Sequence, residues 1–425
     1  MEQQIIKSSR LSEEYLQINH PSGLTMLLYP MEGFSTAFAM FSTKYGSIDT
    51  CFKTQKDSDF VTVPAGIAHY LEHKMFESED GDAFERYAQT GASANAFTSF
   101  DKTSYLFACS DRFEESLEIL LDSVTHPYFT KETVEKEQGI ISQEIKMYED
   151  DPGWRVMFNL LQSMYHNNTV KIDIAGTVES IAQIDAELLY RCYHTFYNLH
   201  NMVLTVAGNF DPQQVLKVAD RILKPAEPIS IEKKTEDEPR EVERKRFVQY
   251  LPVATPMFYI GFKAPNAGEK GNFHNMVFDE MIIDAVTGEM TQFYRDLYQD
   301  GFISGGITGE TLVGRDYLGS MISGESKDPD EVYRRTIKAF EDAKKNGISD
   351  EIFERVKKST YGRYLGLFNK PDSVASAMSN CYFSGIDIYE MVEIVANATK
   401  EELIQRLNED FCTEYSSLSI VMAEK

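Results

Sequence analysis

The sequence has 425 residues, of which 42% are hydrophobic and 26% are charged. These ordinary globular proportions exclude a largely disordered chain, a fibrous repeat and a coiled coil. The 42 basic and 67 acidic residues leave a net charge of −25, so nucleic acid and an anionic membrane surface are poor partners.

Cysteine usage and hydropathy give expectations about the compartment. The five cysteines are widely spaced and form no Cys-x-x-Cys pair, so the sequence suggests neither a disulfide framework nor a thiolate zinc site. The N-terminal segment lacks the apolar core of a signal peptide, and no apolar run approaches the length of a membrane-spanning helix. We therefore expect a cytoplasmic protein.

The first half of the sequence predicts strands, then helices, then a closing strand. Short apolar segments between turn-prone residues indicate strands, and longer helical patterns follow them. In chain order the predicted elements are strands at 24–29 and 36–42, a short helix at 64–77, strands at 95–100 and 103–110, helices at 112–124, 131–148, 154–165 and 178–196, and a strand at 202–207.

The second half repeats this order after a segment that predicts a linker. Residues 225–246 hold three of the 14 prolines and alternating charge, with few large apolar residues. The elements predicted after it are strands at 247–251 and 257–262, a long helix at 273–298, strands near 302–308 and 317–323, helices at 330–345, 350–367 and on to about 407, and a strand at 417–423.

These patterns predict the fold class and the domains. Strands that are segregated from helices favour an α+β fold over a doubly wound parallel sheet. We predict two similar domains, each a mainly antiparallel sheet with helices packed on one side. Their bounds are residues 1–224 for a catalytic domain and 247–425 for a related domain, joined by a linker at 225–246.

The segment His69-Tyr70-Leu71-Glu72-His73 carries the clearest chemical signal. Histidines four residues apart lie on one face of a helix, where two imidazoles can bind one zinc ion. Glu72 falls beside the same spot, which makes the segment the inverted zinc-protease pattern H-x-x-E-H. Zinc lowers the pKa of water and polarises a scissile carbonyl, and a nearby carboxylate can move the proton. The alternative is a structurally satisfied histidine pair.

A zinc site needs a third protein ligand, and the helix at 131–148 offers candidates. Glu137 and Glu144 are seven residues apart, two helical turns, with Ile141 between them on the same stripe. A carboxylate on the apolar side of a helix is costly unless it is paired or bound to metal. From spacing alone, the wet flank of the helix is an equal alternative.

Several motifs resemble the family of zinc peptidases that contains pitrilysin, insulin-degrading enzyme and mitochondrial processing peptidase. The resemblance covers most of the first half, in GIAHYLEHKMF, GASANAFTSFDKTSY, the EKEQGIISQEI helix, GTVESI and FYNLHNMVLTVAGNF. The second half resembles the family only in its order of elements. The chain is most similar to the short bacterial members, about half as long as pitrilysin, that work in pairs.

The resemblance implies a role for each motif residue. His69, His73 and Glu144 would bind one zinc ion per chain, and Glu72 would act as the general base. Glu137 would orient a ligand or a water molecule.

The resemblance also implies a substrate-binding strand. Residues 94–100 would form an edge strand to which an extended peptide adds, and Asn95, Ala96 and Phe97 would contact the substrate. The alternative places Asn95 and Phe97 in an ordinary turn and core.

One departure from the family concerns a carbonyl-binding pair in the C-terminal domain. The family carries an Arg with a Tyr seven residues later; here Arg315 is a plausible match, but position 322 is Ile. Tyr317 would share the face of Arg315 on an alternating strand. Either these residues act locally, or a partner chain supplies the pair.

These observations lead to three competing hypotheses. The first is a zinc metalloendopeptidase that cleaves peptides or unfolded segments, bound as an extended edge strand in a chamber that a second chain closes. The second is a peptide-binding or assembly subunit of a heterodimeric peptidase, inactive or weak without its partner. The third is a zinc-stabilised structural protein. A homodimer or a heterodimer with a related subunit is expected.

Overall fold

The computed structural model describes residues 2–79 and 81–424, and chain contacts divide it into two compact units. Each unit is assembled from three stretches of the chain. The first unit comprises Met1–Ile145, Asp173–Lys234 and Leu365–Tyr389, and the second comprises Lys146–Ile172, Thr235–Tyr364 and Glu390–Lys425.

The predicted division at 1–224, 225–246 and 247–425 stays a prediction. The packed units differ from it because 146–172 belongs to the second unit and 365–389 to the first.

In the described residues, strands and helices occur largely in separate runs along the chain. The strands are β1 (Glu2–Lys7), β2 (Glu14–Asn19), β3 (Thr25–Pro30), β4 (Ala37–Thr43), β5 (Cys51–Thr54), β6 (Val61–Thr62), β7 (Glu77–Ser78), β8 (Gly81–Asp82), β9 (Ser93–Thr98), β10 (Thr103–Cys109), β11 (Met202–Gly208), β12 (Ile231–Lys233), β13 (Arg246–Tyr250), β14 (Met257–Lys263), β15 (Thr308–Val313), β16 (Leu318–Glu325) and β17 (Ser416–Met422). The helices are α1 (Ile67–Lys74), α2 (Ala83–Thr90), α3 (Phe113–Thr125), α4 (Lys131–Glu149), α5 (Pro152–Met164), α6 (Val178–Ile181), α7 (Ala186–Phe196), α8 (Pro212–Ile222), α9 (Gly268–Thr287), α10 (Gln292–Gln299), α11 (Pro329–Asn346), α12 (Asp350–Leu367), α13 (Pro371–Phe383), α14 (Ile388–Asn397) and α15 (Lys400–Asp410).

The first unit is built on a mostly antiparallel sheet. In the described part of the chain its strand order is β1-β2-β3-β11-β4-β10-β9, with β3 and β11 parallel. Side chains alternate across the sheet. Phe41 packs in the large apolar cluster, to which helices α1, α3 and α7 also contribute. Ser42, on the opposite face, accepts a hydrogen bond of 3.1 Å from the hydroxyl of Ser379 on α13. Helix α13 therefore covers the second face.

The second unit repeats this pairing in its own sheet. Its strand order is β13-β17-β14-β16-β15 in the described residues, and again one pair, β13 and β17, is parallel. Helices α9, α11 and α15 contribute to the apolar cluster, and α5 contacts β17 and β14. The predicted α+β class with two similar, mainly antiparallel domains is confirmed.

Two predicted helices are each interrupted by a local capping residue. The helix predicted at 178–196 divides into α6 and α7, because Asp185 accepts the backbone N–H of Leu188 and starts a new helix. The long helix predicted at 273–298 likewise ends at Thr287, and Thr291 caps α10. These corrections follow from N-capping, which satisfies otherwise unpaired N–H groups.

The predicted linker carries ordered contacts in each unit. Strand β12 pairs with β5 in the first unit. In the second unit, the Glu238 carboxylate accepts the backbone N–H groups of His166, Asn167 and Asn168.

No helix in the described residues combines the length and the apolarity needed to cross a bilayer.

Candidate metal centre

A close backbone approach fixes the start of α1. Gly66 caps the helix with a positive φ of 89°, and a Cβ there would lie 2.3 Å from the carbonyl oxygen of Ala175. Ser180 donates a hydrogen bond of 2.8 Å to the carbonyl oxygen of Ala65. Glycine is therefore required at position 66, and the loop before α6 anchors the histidine helix.

Helix α1 places its two histidines side by side. The ring centroids of His69 and His73 are 4.6 Å apart, as four-residue spacing on a helix predicts. His69 is 8% exposed, and its Nδ1 atom is buried without a hydrogen-bond partner in the described residues.

Helix α4 presents its two glutamates to α1. Its buried stripe consists of Val134, Glu137, Ile141 and Ile145, and the hydroxyl of Tyr70 on α1 donates to the carbonyl oxygen of Val134. Glu137 is only 7% exposed. The wet-flank alternative is therefore wrong for Glu137.

Glu144 lies within reach of both imidazoles. Its Oε2 is 3.3 Å from Nε2 of His73, and its Oε1 is 3.7 Å from Nε2 of His69. One ligand atom from each of the three residues lies within 4.8 Å of the other two. Ligands of a tetrahedral zinc ion are about 3.4 Å apart when each bond is about 2.1 Å. The donor set and its spacing therefore fit zinc.

Glu137 orients one of the histidines. Nδ1 of His73 donates a hydrogen bond of 2.9 Å to Oε1 of Glu137, which leaves Nε2 turned toward Glu144. Carboxylate partners of this kind fix the tautomer of a metal-binding imidazole.

The electrostatics of the cluster favour a bound positive charge. Burial and the neighbouring His73 lower the pKa of His69 to about 4. Burial also disfavours charge on His73, but hydrogen bonds to Glu137 and Glu144 prevail and raise its pKa to about 10. Burial likewise opposes ionisation of Glu137, yet the hydrogen bond from His73 holds its pKa below the ordinary value. Two carboxylates thus stabilise a cation at this point.

Glu72 lies beside this group and is oriented separately. Its Oε2 accepts a hydrogen bond of 2.8 Å from the hydroxyl of Thr98. Burial raises the pKa of Glu72 above its ordinary value. A carboxylate with a raised pKa is better suited to accept a proton near neutral pH.

The segment expected to bind substrate is an edge strand. In the described residues β9 ends the sheet of the first unit, pairs with β10 and contacts α1. Asn95 is exposed and accepts the N–H of Ala96 at 2.9 Å, and Phe97 is half-buried. Asn95 therefore lies on a strand, and the alternative that places it in a turn is wrong.

Arg315 and Tyr317 lie in the second unit, in the turn between β15 and β16. The expectation that they share a face of an alternating strand is wrong, because β16 begins at Leu318 and the N–H of Gly314 donates to the carbonyl oxygen of Tyr317. Tyr317 is buried, and Arg315 lies 3.6 Å from Asp316. Ile322 is fully buried on β16.

Sequence reasoning missed the contact between Thr98 and Glu72. Thr98 falls inside the motif that resembles the family, but the hydrogen bond joins residues 26 positions apart. Only the packing of α1 against β9 brings them together.

Comparisons with known proteins identify the family to which the chain is related. The family model described as insulinase, peptidase family M16, matches residues 63–178, and the model described as the peptidase M16 inactive domain matches residues 183–360. A Bacillus subtilis relative named uncharacterized zinc protease YmfH is 35% identical over 96% of both chains.

Solved structures show the same fold. An M16-like peptidase from Alicyclobacillus acidocaldarius superposes with a TM-score of 0.94 at 33% identity, over 98% of this chain and 100% of that one. Pitrilysin gives a TM-score of 0.75 at 16% identity over 99% of this chain, which spans 46% of the pitrilysin chain. The chain belongs to peptidase family M16.

Proposed function

We propose that this protein is a zinc-dependent metalloendopeptidase that hydrolyses peptides or unfolded segments. One zinc ion per chain would be held by His69, His73 and Glu144. The observation that carries the proposal is the convergence of three ligand atoms within 4.8 Å, with a separate carboxylate beside them. A purely structural zinc site would need no such extra base.

The chain's own residues would move the proton. Bound zinc would polarise the scissile carbonyl and lower the pKa of water. Glu72, whose pKa is raised by burial, would accept a proton from the attacking water and deliver it to the leaving amine. Glu137 would keep His73 in the tautomer that presents Nε2 to the ion.

Edge strand β9 would hold the substrate. An extended peptide that adds to a sheet edge gains main-chain hydrogen bonds with little demand on its sequence. Asn95, Ala96 and Phe97 would line the bound peptide, within a chamber that a second chain closes. The family relative named a zinc protease supports this reaction class.

The test is peptide hydrolysis with a matched base variant. Zinc-loaded protein is incubated with a mixed peptide library, and products are read by mass spectrometry. We expect cleavage by the wild type and a loss of orders of magnitude in Glu72→Gln, which keeps its zinc. Equal turnover by both proteins would refute the role of Glu72.

A second candidate is an assembly or peptide-binding subunit that is inactive or weak alone. Ile322 favours it, because it is buried at the position where the resemblance implies a carbonyl-binding tyrosine, and so does the match of residues 183–360 to an inactive domain. Under this proposal Arg315 and Tyr317 act locally and a related partner chain supplies the missing pair. Activity that appears only after a candidate partner is added would support this reading.

The oligomer and the compartment belong to the same proposal. A homodimer or heterodimer in the cytoplasm remains our prediction. The third hypothesis is a zinc-stabilised structural protein. It predicts that removal of zinc by a chelator lowers the melting temperature sharply and that no peptide is cleaved with any partner.

A further inference from the structure

Thr98 links the edge strand to the candidate base. It is the last residue of β9, and its hydroxyl donates a hydrogen bond of 2.8 Å to Oε2 of Glu72 on α1. The two residues are 26 positions apart, so the bond ties two separate elements together.

The surroundings fix the direction of this bond. Thr103, opposite Thr98 on β10, has its Oγ1 3.4 Å away, but it donates its own hydrogen to the carbonyl oxygen of Tyr45 at 2.9 Å. An ionised carboxylate only accepts hydrogen bonds. The single hydroxyl hydrogen of Thr98 is therefore directed to Glu72, whose oxygen at 2.8 Å is closer than that of Thr103 at 3.4 Å.

The donor is also held rigidly. The backbone of Thr98 pairs with Thr103 in the β9–β10 ladder. A β-branched side chain has few accessible χ1 rotamers. The hydroxyl thus fixes one oxygen of Glu72 and leaves the other for proton transfer.

We propose that Thr98 is a positioning residue that aligns Glu72 for catalysis. The hydroxyl that orients the base then belongs to the same strand, β9, that would receive the peptide. One strand would therefore both bind the substrate and align Glu72. This inference rests on the proposed function and specifies how the same site is prepared.

The test compares three variants. Thr98→Val removes the hydroxyl but keeps the β-branched shape, Thr98→Ser keeps the hydroxyl, and Thr62→Val is the control. Thr62 lies on strand β6, is exposed, and donates a hydrogen bond of 3.5 Å from its hydroxyl to Sγ of Cys51.

We expect kcat to fall ~10–100-fold in Thr98→Val, the usual loss when an orienting partner is removed. KM should stay within about twofold, because a group that acts in the transition state changes kcat alone. Zinc content should be unchanged, Thr98→Ser should recover most of kcat, and the control should match the wild type. Wild-type kcat in Thr98→Val, or no recovery in Thr98→Ser, would overturn the assignment.

Crystal structures of the wild type and Thr98→Val provide a readout that does not depend on activity. We expect the Glu72 carboxylate to leave its position in the variant while His69 and His73 stay in place. An unmoved Glu72 would contradict the inference. If Glu72→Gln leaves wild-type turnover unchanged, the proposed function fails, and the two crystal structures still decide the role of Thr98.

Discussion

The two histidines of the metal centre have the same chemistry but different surroundings. Nδ1 of His73 is held by Glu137 at 2.9 Å, whereas Nδ1 of His69 is buried without a hydrogen-bond partner in the part of the chain that the structure describes. The Nδ1 side of His73 is therefore oriented by a carboxylate, whereas the Nδ1 side of His69 is held by packing. The two positions should respond differently to substitution nearby.

The first prediction concerns Glu137→Gln. The amide keeps the size of the side chain but removes its charge, so the hydrogen bond from His73 weakens. We expect zinc affinity to fall ~10–100-fold, as is typical when the partner of a metal-binding histidine is changed. Competition with a chromogenic chelator measures the affinity.

Glu135→Gln is the matched control for this prediction. Glu135 lies on the same helix, but it is exposed and pairs with Lys131 at 3.8 Å. Equal zinc affinity in the two variants would show that Glu137 does not orient His73.

The sequence predicted most of the residues of this centre. The spacing of His69 and His73 fixes their shared helix face, and the resemblance to a known family identified Glu144. The sequence could not show how deeply Glu137 is buried. A spacing of seven residues fits both the apolar stripe of helix α4 and the solvent-exposed flank of that stripe. Thr98 was missed because its contact is tertiary.

At the scale of elements, helices α9 and α15 bring two carboxyl groups together in the second unit. Asp279 is fully buried and Asp410 is 1% exposed. Ser320 donates to Oδ2 of Asp279 at 3.2 Å, and Arg406 lies 3.5 Å from Asp410. Burial and then the charge of Asp410 raise the pKa of Asp279 well above its ordinary value, and burial raises the pKa of Asp410.

The second prediction is a fall in stability with rising pH that Asp279 causes. The unfolded chain loses this proton near pH 3.9, whereas the folded chain keeps it to higher pH. Between the two pKa values the folded state binds more protons, so the free energy of unfolding falls as pH rises, by up to about 1.4 kcal/mol per pH unit for one proton. Asp279→Asn should reduce this slope at pH values above the unfolded-state pKa of about 3.9.

Urea unfolding at three pH values measures the slope. Asp342→Asn, at an exposed position on α11, is the control and should keep the wild-type slope. Identical slopes in all three proteins would contradict the raised pKa of Asp279.

Element boundaries show what local patterns could and could not reveal. The strands predicted at 24–29 and 103–110 agree with β3 and β10, because alternation and flanking turns are local signals. The break between α9 and α10 depends on capping by Thr291. The sequence did not predict this break, because the apolar periodicity continues across it.

At the scale of the whole molecule, the sheet of each unit is packed against a helix from a distant part of the chain. Helix α13 lies in sequence between elements of the second unit but contacts β11 and β4 of the first. Helix α5 precedes the predicted linker but contacts β17 and β14 of the second unit. Periodicity gives no information about such pairings, so the sequence predicted a simpler division.

The third prediction follows from this exchange of helices. A fragment of residues 1–224 lacks α13, which leaves one face of β4 and β11 without its cover. We expect this fragment alone to aggregate or to melt at a lower temperature than the full chain, because exposed apolar sheet surface favours association. Size-exclusion chromatography and circular dichroism measure both properties.

Co-expression of residues 1–224 with residues 225–425 provides the control. The second fragment supplies α13, so the pair should co-purify and melt cooperatively. A fragment of 1–224 that is monomeric and as stable as the full chain would contradict the structural role of α13.

The central claim is that helices α1 and α4 jointly bind one zinc ion, and anomalous diffraction at the zinc edge tests it most directly. In crystals grown with zinc we predict one peak per chain, about 2.0–2.2 Å from His69, His73 and Glu144, and no such peak in His73→Ala. A wild-type crystal with no anomalous peak at these three side chains, or with its zinc bound elsewhere, would contradict the account.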